Sequence, residues 1–179
     1  MTVETVDVVG LFNQAWVELY CPPVRLTLEE PKKESNKEAK FSAVNGTVHL
    51  KPDIVPLGCD PDQYLLWYFR HELAHVHHCP YDIRTAYSLE SSAHEIAADW
   101  DLAYLATHLF CDIQVDLSYL PRRFGELPYH TRVIGRQLRT VAEQIMYEIY
   151  SRVYPVFKSG HSDLTEAAKE ILTVSMLDR

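Results

Sequence analysis

The chain has no apolar run approaching the roughly twenty residues that a membrane-spanning helix needs, and Met1 to Val6 carries neither a basic cluster nor an apolar core of the kind found in secretory leaders. No membrane partner is expected, and the expected location is the cytoplasm. Positive charge is also scarce. Seventeen Lys and Arg stand against 25 Asp and Glu, a formal net charge of -8, so the basic footprint of a general nucleic-acid binder is missing and no direct nucleic-acid contact is expected. The same charge leaves room for a basic partner. The four cysteines, Cys21, Cys59, Cys79 and Cys111, form no C-x-x-C pair, which removes zinc ribbons and thioredoxin-like chemistry and leaves buried, reduced thiols as the expectation. There is no internal repeat and no low-complexity tract.

What the chain does contain is enough apolar material for one sizeable core: 179 residues, 47% hydrophobic, with eleven tyrosines and three tryptophans. The expected fold is α+β, a mainly helical single domain over residues 1–179, with a small antiparallel sheet ahead of a central helix and a helical C-terminal portion from about residue 129.

Periodicity supplies the elements. Thr5 to Tyr20 places Val8, Val9, Phe12, Ala15, Trp16 and Leu19 at helical spacing, and Cys21-Pro22-Pro23 ends the run. Val24 to Leu28 alternates as a strand does. Pro31 to Lys40 mixes lysines with glutamates and reads as a solvated loop. Phe41 to Lys51 predicts an antiparallel hairpin turning at Asn45-Gly46. Asp60 to Cys79 predicts a helix capped by Asp60, with Pro61 at its first position, Gln63 completing a capping box and Pro80 stopping it. A second helix is expected from about Ser91 to Phe110, apolar at Ile96, Leu102, Leu105, Ala106 and Leu109. Asp112 to Pro128 looks irregular, a lid or a simple loop. Tyr129 to Tyr154 predicts one long helix with Arg132, Arg136 and Arg139 as a solvated stripe, and Asp163 to Leu177 a last amphipathic one.

The chemistry concentrates in His71-Glu72-Leu73-Ala74-His75, an H-E-x-x-H motif. Two histidines four apart on a helix share a face and can ligate one zinc ion, with the intervening glutamate as general base. Zinc takes four ligands, and a catalytic site leaves one position to water, so a third protein ligand is required. Glu95, twenty residues past His75, is the candidate. Asp99, expected one turn later on the same helix, can take the outer nitrogen of a ligating histidine, His71, and so fix its tautomer. Two rivals stand beside this reading. Ser92 and Glu95 are spaced as a capping box, which would make Glu95 a helix-start residue. His94 could replace Glu95 as ligand, since adjacent helical residues point about 100° apart and only one can face the metal. His78 lies roughly 10 Å along the helix from His71, too far to share its ion, and His77 and His78 are expected at the surface near the helix end.

The motif with the later Glu95-Ile96-Ala97-Ala98-Asp99 resembles the gluzincin metallopeptidases, and among them the ImmA/IrrE-type family with its E-x-x-A-(N/D) element. The resemblance covers Val44 to Leu105. It implies a zincin-like domain and a zinc-dependent endopeptidase whose partner is a protein or peptide substrate, such as a transcriptional repressor. It also implies an edge strand just before the metal helix, for which Thr47 to Leu50 is the candidate, that holds extended substrate through its main chain; an ordinary sheet strand is the other reading of the same residues. The histidine-rich tail, the lack of a helix-turn-helix partner and the C-terminal helices depart from the family pattern.

In such a site Glu72 would accept a proton from a metal-activated water and pass it to the leaving amine. Tyr87, Tyr104, Tyr129 and His130 are the residues of a type suited to stabilising the oxyanion, and the sequence does not choose among them. A metal-binding protein that acts by docking a partner is the alternative function; a helical core in which the histidines satisfy one another is the structural one.

Overall fold

The computed structural model describes residues 6–28, 41–42, 46–50, 55–56, 58–125, 127–129, 140–157 and 168–169. These are mainly helical with a small sheet. The chain groups into two compact units, Met1–Ile83 and Arg84–Arg179. Among the described residues no helix is long and apolar enough to cross a membrane.

In the first unit α1 (Val8–Glu18) starts at Asp7, whose side chain accepts from the amide of Gly10. The buried residues Phe12, Ala15 and Leu19 form its inner face. That stripe packs on α2 (Pro61–Ala74), where Phe12 meets Phe69 edge-on at 5.4 Å between ring centroids, a favourable aromatic arrangement. Leu65, Phe69 and Leu73 complete the buried side of α2. An ion pair ties the two helices together: Arg70 donates to both carboxylate oxygens of Glu18, at 2.7 and 2.9 Å.

Three strands accompany these helices: β1 (Arg25–Leu28), β2 (Phe41–Ser42) and β3 (Thr47–Leu50). The expected antiparallel pairing is present between β2 and β3, with Phe41 opposite Val48 and Ser42 opposite Thr47. The sheet as a whole is mixed, however, because β1 pairs with β3 in parallel, Arg25 opposite Thr47 through Leu28 opposite Leu50. The order β1-β3-β2 therefore puts β3 in the centre. This corrects the reading of Thr47 to Leu50 as an edge strand: two-residue alternation identifies a strand but is silent on which neighbours it acquires. Val48 and Leu50 point into the core. Asn45 lies outside the described residues; Gly46, at φ +56°, sits so close to the carbonyl of Pro23 that a Cβ would come within 2.7 Å of it. Only glycine fits there.

In the second unit α3 (Ile83–Ala97) and α4 (Trp100–Gln114) are separate helices. The expected single helix over 91–110 is broken at Ala98, whose φ of +52° leaves the helical region, and Asp99 restarts it by accepting from the amide of Leu102 at 3.0 Å. The inward side of α4 also differs from the expected one. Leu102 and Leu105 are exposed, as is Ile96 on α3, while Ala103 and Cys111 are buried. Ala103, Cys111 and Ile113 face inward.

Residues 112–124 are helical, not irregular: α4 runs into a π-helical turn at Val115–Tyr119 and then into α5 (Leu120–Phe124), ended by Gly125 at φ +68°. Pro121 sits in the first turn of α5. The expected helix over 129–154 is described as α6 (Val141–Val153), which begins afresh at Thr140 through a complete capping box with Glu143. Residues 130–139, with the arginine stripe, lie outside the described residues, as does most of the expected last helix. Ile113, Leu117, Tyr147, Ile149, Tyr150 and Phe157 form the core of this unit. Inside it Tyr150 donates a 2.6 Å hydrogen bond to Asp116.

Candidate metal centre

The motif lies at the C-terminal end of α2. Asp60 accepts from the amide of Gln63, Pro61 opens the helix, and Ala74 is its last residue. His75 follows as the C-cap yet keeps helical dihedrals, φ -55° and ψ -34°, so its side chain still stands one turn after that of His71. Both imidazoles are buried, at 9% and 8% exposure.

Their Nε2 atoms are 3.3 Å apart. Two nitrogens each 2.0–2.1 Å from a tetrahedral zinc ion must be separated by about 3.4 Å, so the rings already stand at the spacing that shared coordination demands. The outer nitrogen of His75 is also committed: Nδ1 lies 2.6 Å from the carbonyl oxygen of Cys79. A carbonyl only accepts, so Nδ1 carries the proton and Nε2 presents its lone pair inward. Helical spacing, burial and tautomer together make a pair that could hold a metal ion. The second-neighbour bond to Cys79 was not foreseen, because a backbone carbonyl carries no residue-type signal in a sequence.

Glu72, half-buried, projects from the same helix. One turn before it stands Tyr68, buried at 7% exposure; burial first, and then the charge and hydrogen bonding of the Glu72 carboxylate, hold its phenol well above the ordinary range. Tyr64 stacks on Tyr68 with 6.4 Å between centroids and is raised by burial and by the charges of Cys59 and Glu72. A cleft of about 210 Å³ opens beside His75, between Pro23, Val24 and Gly46 on one side and Val76, Pro80 and Tyr81 on the other.

The remaining residues singled out in the sequence are placed as follows. Glu95 is exposed on α3, a helix none of whose residues is buried. Asp99 is the N-cap of α4; since α3 ends at Ala97, Glu95 and Asp99 do not occupy successive turns of one helix, and the shared-helix argument for pairing them falls away. His94 stacks on Trp100, 3.9 Å between centroids and 14° from parallel. Among the oxyanion candidates, Tyr87 and Tyr104 are exposed, the latter against His108 at 4.2 Å between centroids, and Tyr129 is buried. His130 lies outside the described residues. His78 is exposed as expected, but His77 is half-buried, its ring edge-on to Tyr20. Cys79 and Cys111 are buried thiols; Cys21 is exposed and Cys59 half-buried, against the expectation for them.

No family model, curated protein or solved structure matches this chain.

Proposed function

We propose that the chain is a zinc-dependent endopeptidase acting on a protein or peptide substrate, with His71, His75 and a carboxylate as metal ligands and Glu72 as general base. The observation that carries this reading is the 3.3 Å separation of the two Nε2 atoms, with the His75 tautomer set by the Cys79 carbonyl. A zinc ion held there supplies a Lewis acid that polarises a peptide carbonyl and acidifies a water molecule. Glu72 takes the water's proton and returns it to the departing amine. His75 stays fixed by its backbone bond throughout, and the cleft beside it offers room for a substrate side chain.

For the third ligand the sequence points to Glu95, and the zinc content of the Glu95→Ala protein tests it. The substrate we take to be a regulatory protein such as a repressor, on the family resemblance of the two motifs. Docking without hydrolysis is the second reading, favoured by the exposed Tyr87, Ile96, Trp100 and Leu102 of α3 and α4. Incubating the zinc-loaded protein and its Glu72→Gln variant with candidate substrates separates the two. Cleavage lost while zinc stays bound supports the enzyme; an equal biological effect from both proteins supports docking.

A further inference from the structure

We propose that the junction of α3 and α4 is a docking surface for a basic amphipathic segment of a partner protein, one that sets lysine or arginine side chains around an apolar centre. The surface belongs wholly to the second unit, and it holds its partner whether or not the chain binds zinc or cleaves what it binds.

α3 has fifteen residues and none of them is buried, although a helix of that length ordinarily takes most of its stability from packing one face. Large apolar side chains are open to solvent across the junction that follows: Ile96 is 89% exposed, Trp100 51% and Leu102 52%, a concentration of the kind that marks an interaction site. Exposed carboxylates alternate with them, Glu95 before Ile96, and Asp99 and Asp101 on either side of Trp100. The charge has one sign throughout. From Thr85 to Pro121 the chain has six Asp and Glu and neither Lys nor Arg, and among the described residues no ion pair neutralises Glu95 or Asp101.

That sign decides among the occupants. Nucleic acid and anionic lipid bring phosphates against these carboxylates. A second copy docking by the same face sets carboxylate against carboxylate, with no cation in the stretch to relieve them. A segment rich in Lys or Arg meets both halves of the surface at once: its charged groups reach Glu95, Asp99 and Asp101, while the aliphatic stems of the same side chains and the apolar residues between them cover Ile96 and Leu102. The open part of the Trp100 ring adds a site for a cation over an aromatic face. The indole is already held in place, since His94 stacks on it with 3.9 Å between centroids, so little side-chain freedom is lost there on binding.

The test uses the full chain, free of metal, with fluorine-labelled tryptophan; the Trp100 resonance is identified by its loss in Trp100→Phe. The probe is a peptide of leucine and lysine with the leucines at helical spacing. Titration with it should shift the Trp100 resonance more than those of Trp16 and Trp67, and the same peptide with glutamate in place of lysine should leave all three unmoved. Asp101→Lys and Ile96→Ser, which replace exposed side chains, should each weaken binding about tenfold, whereas Asp62→Lys, the same exchange in the first turn of α2, should change it by less than about twofold. Absence of binding, equal binding of the acidic peptide, equal weakening by Asp62→Lys, or an affinity indifferent to Ile96→Ser overturns the proposal. Sedimentation that shows the parent paired and Ile96→Ser single overturns it too, in favour of a second copy. Should Asp101→Lys fail to fold, the parent reads the same charge through salt: affinity should fall as ionic strength rises, and an affinity that salt leaves unchanged overturns the proposal equally. Glu95 stays unaltered in these variants because the sequence also points to it as a metal ligand. Zinc content, measured separately, then decides the peptidase reading without bearing on this one.

Discussion

Nδ1 of His75 lies 2.6 Å from the carbonyl oxygen of Cys79, and Nε2 of the same ring lies 3.3 Å from Nε2 of His71. With the His75 proton held on Nδ1, the proton between the two rings belongs to His71. Zinc binding must then displace that proton from His71 while leaving His75 unchanged. Long-range proton–nitrogen spectra of the imidazoles, recorded before and after adding zinc, should show His75 in the Nδ1–H form throughout and His71 changing tautomer. A His75 that carries its proton on Nε2 before zinc is added would contradict this.

The pairing of Glu18 with Arg70 anchors the motif helix α2 to α1. Arg70 is only 8% exposed, so Glu18→Ala takes a bidentate carboxylate away from a buried guanidinium. Urea denaturation should show a loss of about 2 kcal/mol. Replacing both residues together with apolar ones of similar size should recover much of it, because the desolvation cost disappears with the charges.

Asp99 caps α4 through one carboxylate oxygen. Asp99→Ala should cost about 1 kcal/mol in thermal or urea unfolding, and Asp99→Asn, which caps as well, should restore most of it. Loss of stability in both variants alike would show that the charge, not the cap, matters.

The cap and the break before it also mark where sequence reasoning reached its limit. The motif helix was legible because its signals were local: Asp60, Pro61 and the apolar spacing of Leu65, Phe69 and Leu73 all belong to one element. The break at Ala98, at φ +52°, was hidden because apolar residues continue across it and alanine, the best helix former, gives no sign of a break. The start of α6 was legible in principle, since Thr140 and Glu143 form an [ST]-x-x-E box, but the longer apolar period running through them masked it. The π-helical turn at Val115–Tyr119 departs from the 3.6-residue period and so left no periodic signature. In the site, residue types and spacing pointed to His71, Glu72 and His75; the parallel pairing of β1 with β3 and the Cys79 carbonyl bond depend on tertiary placement of the backbone, which residue type does not encode.

Buried phenols set the alkaline limit of stability. Burial, and then the charge and hydrogen bond of Asp116, keep Tyr150 protonated well above the ordinary tyrosine value of 10.0. The unfolded chain ionises near that value while the folded one does not, so this contribution is whole below about pH 10 and is lost as pH rises further. The free energy of unfolding should fall there by up to about 1.4 kcal/mol per pH unit for each such phenol. Tyr150→Phe should flatten the slope, although it lowers stability at neutral pH by about 2 kcal/mol by removing the phenol's hydrogen bond to the buried Asp116. Equal slopes in parent and variant would contradict the assignment.

The most direct test of the metal centre is the zinc content of the purified parent after loading and exhaustive dialysis, beside that of His71→Ala and His75→Ala. The account predicts one tightly held zinc per parent chain and none retained by either variant. Zinc that stays at the parental level in both variants, or a parent that retains none, would contradict it.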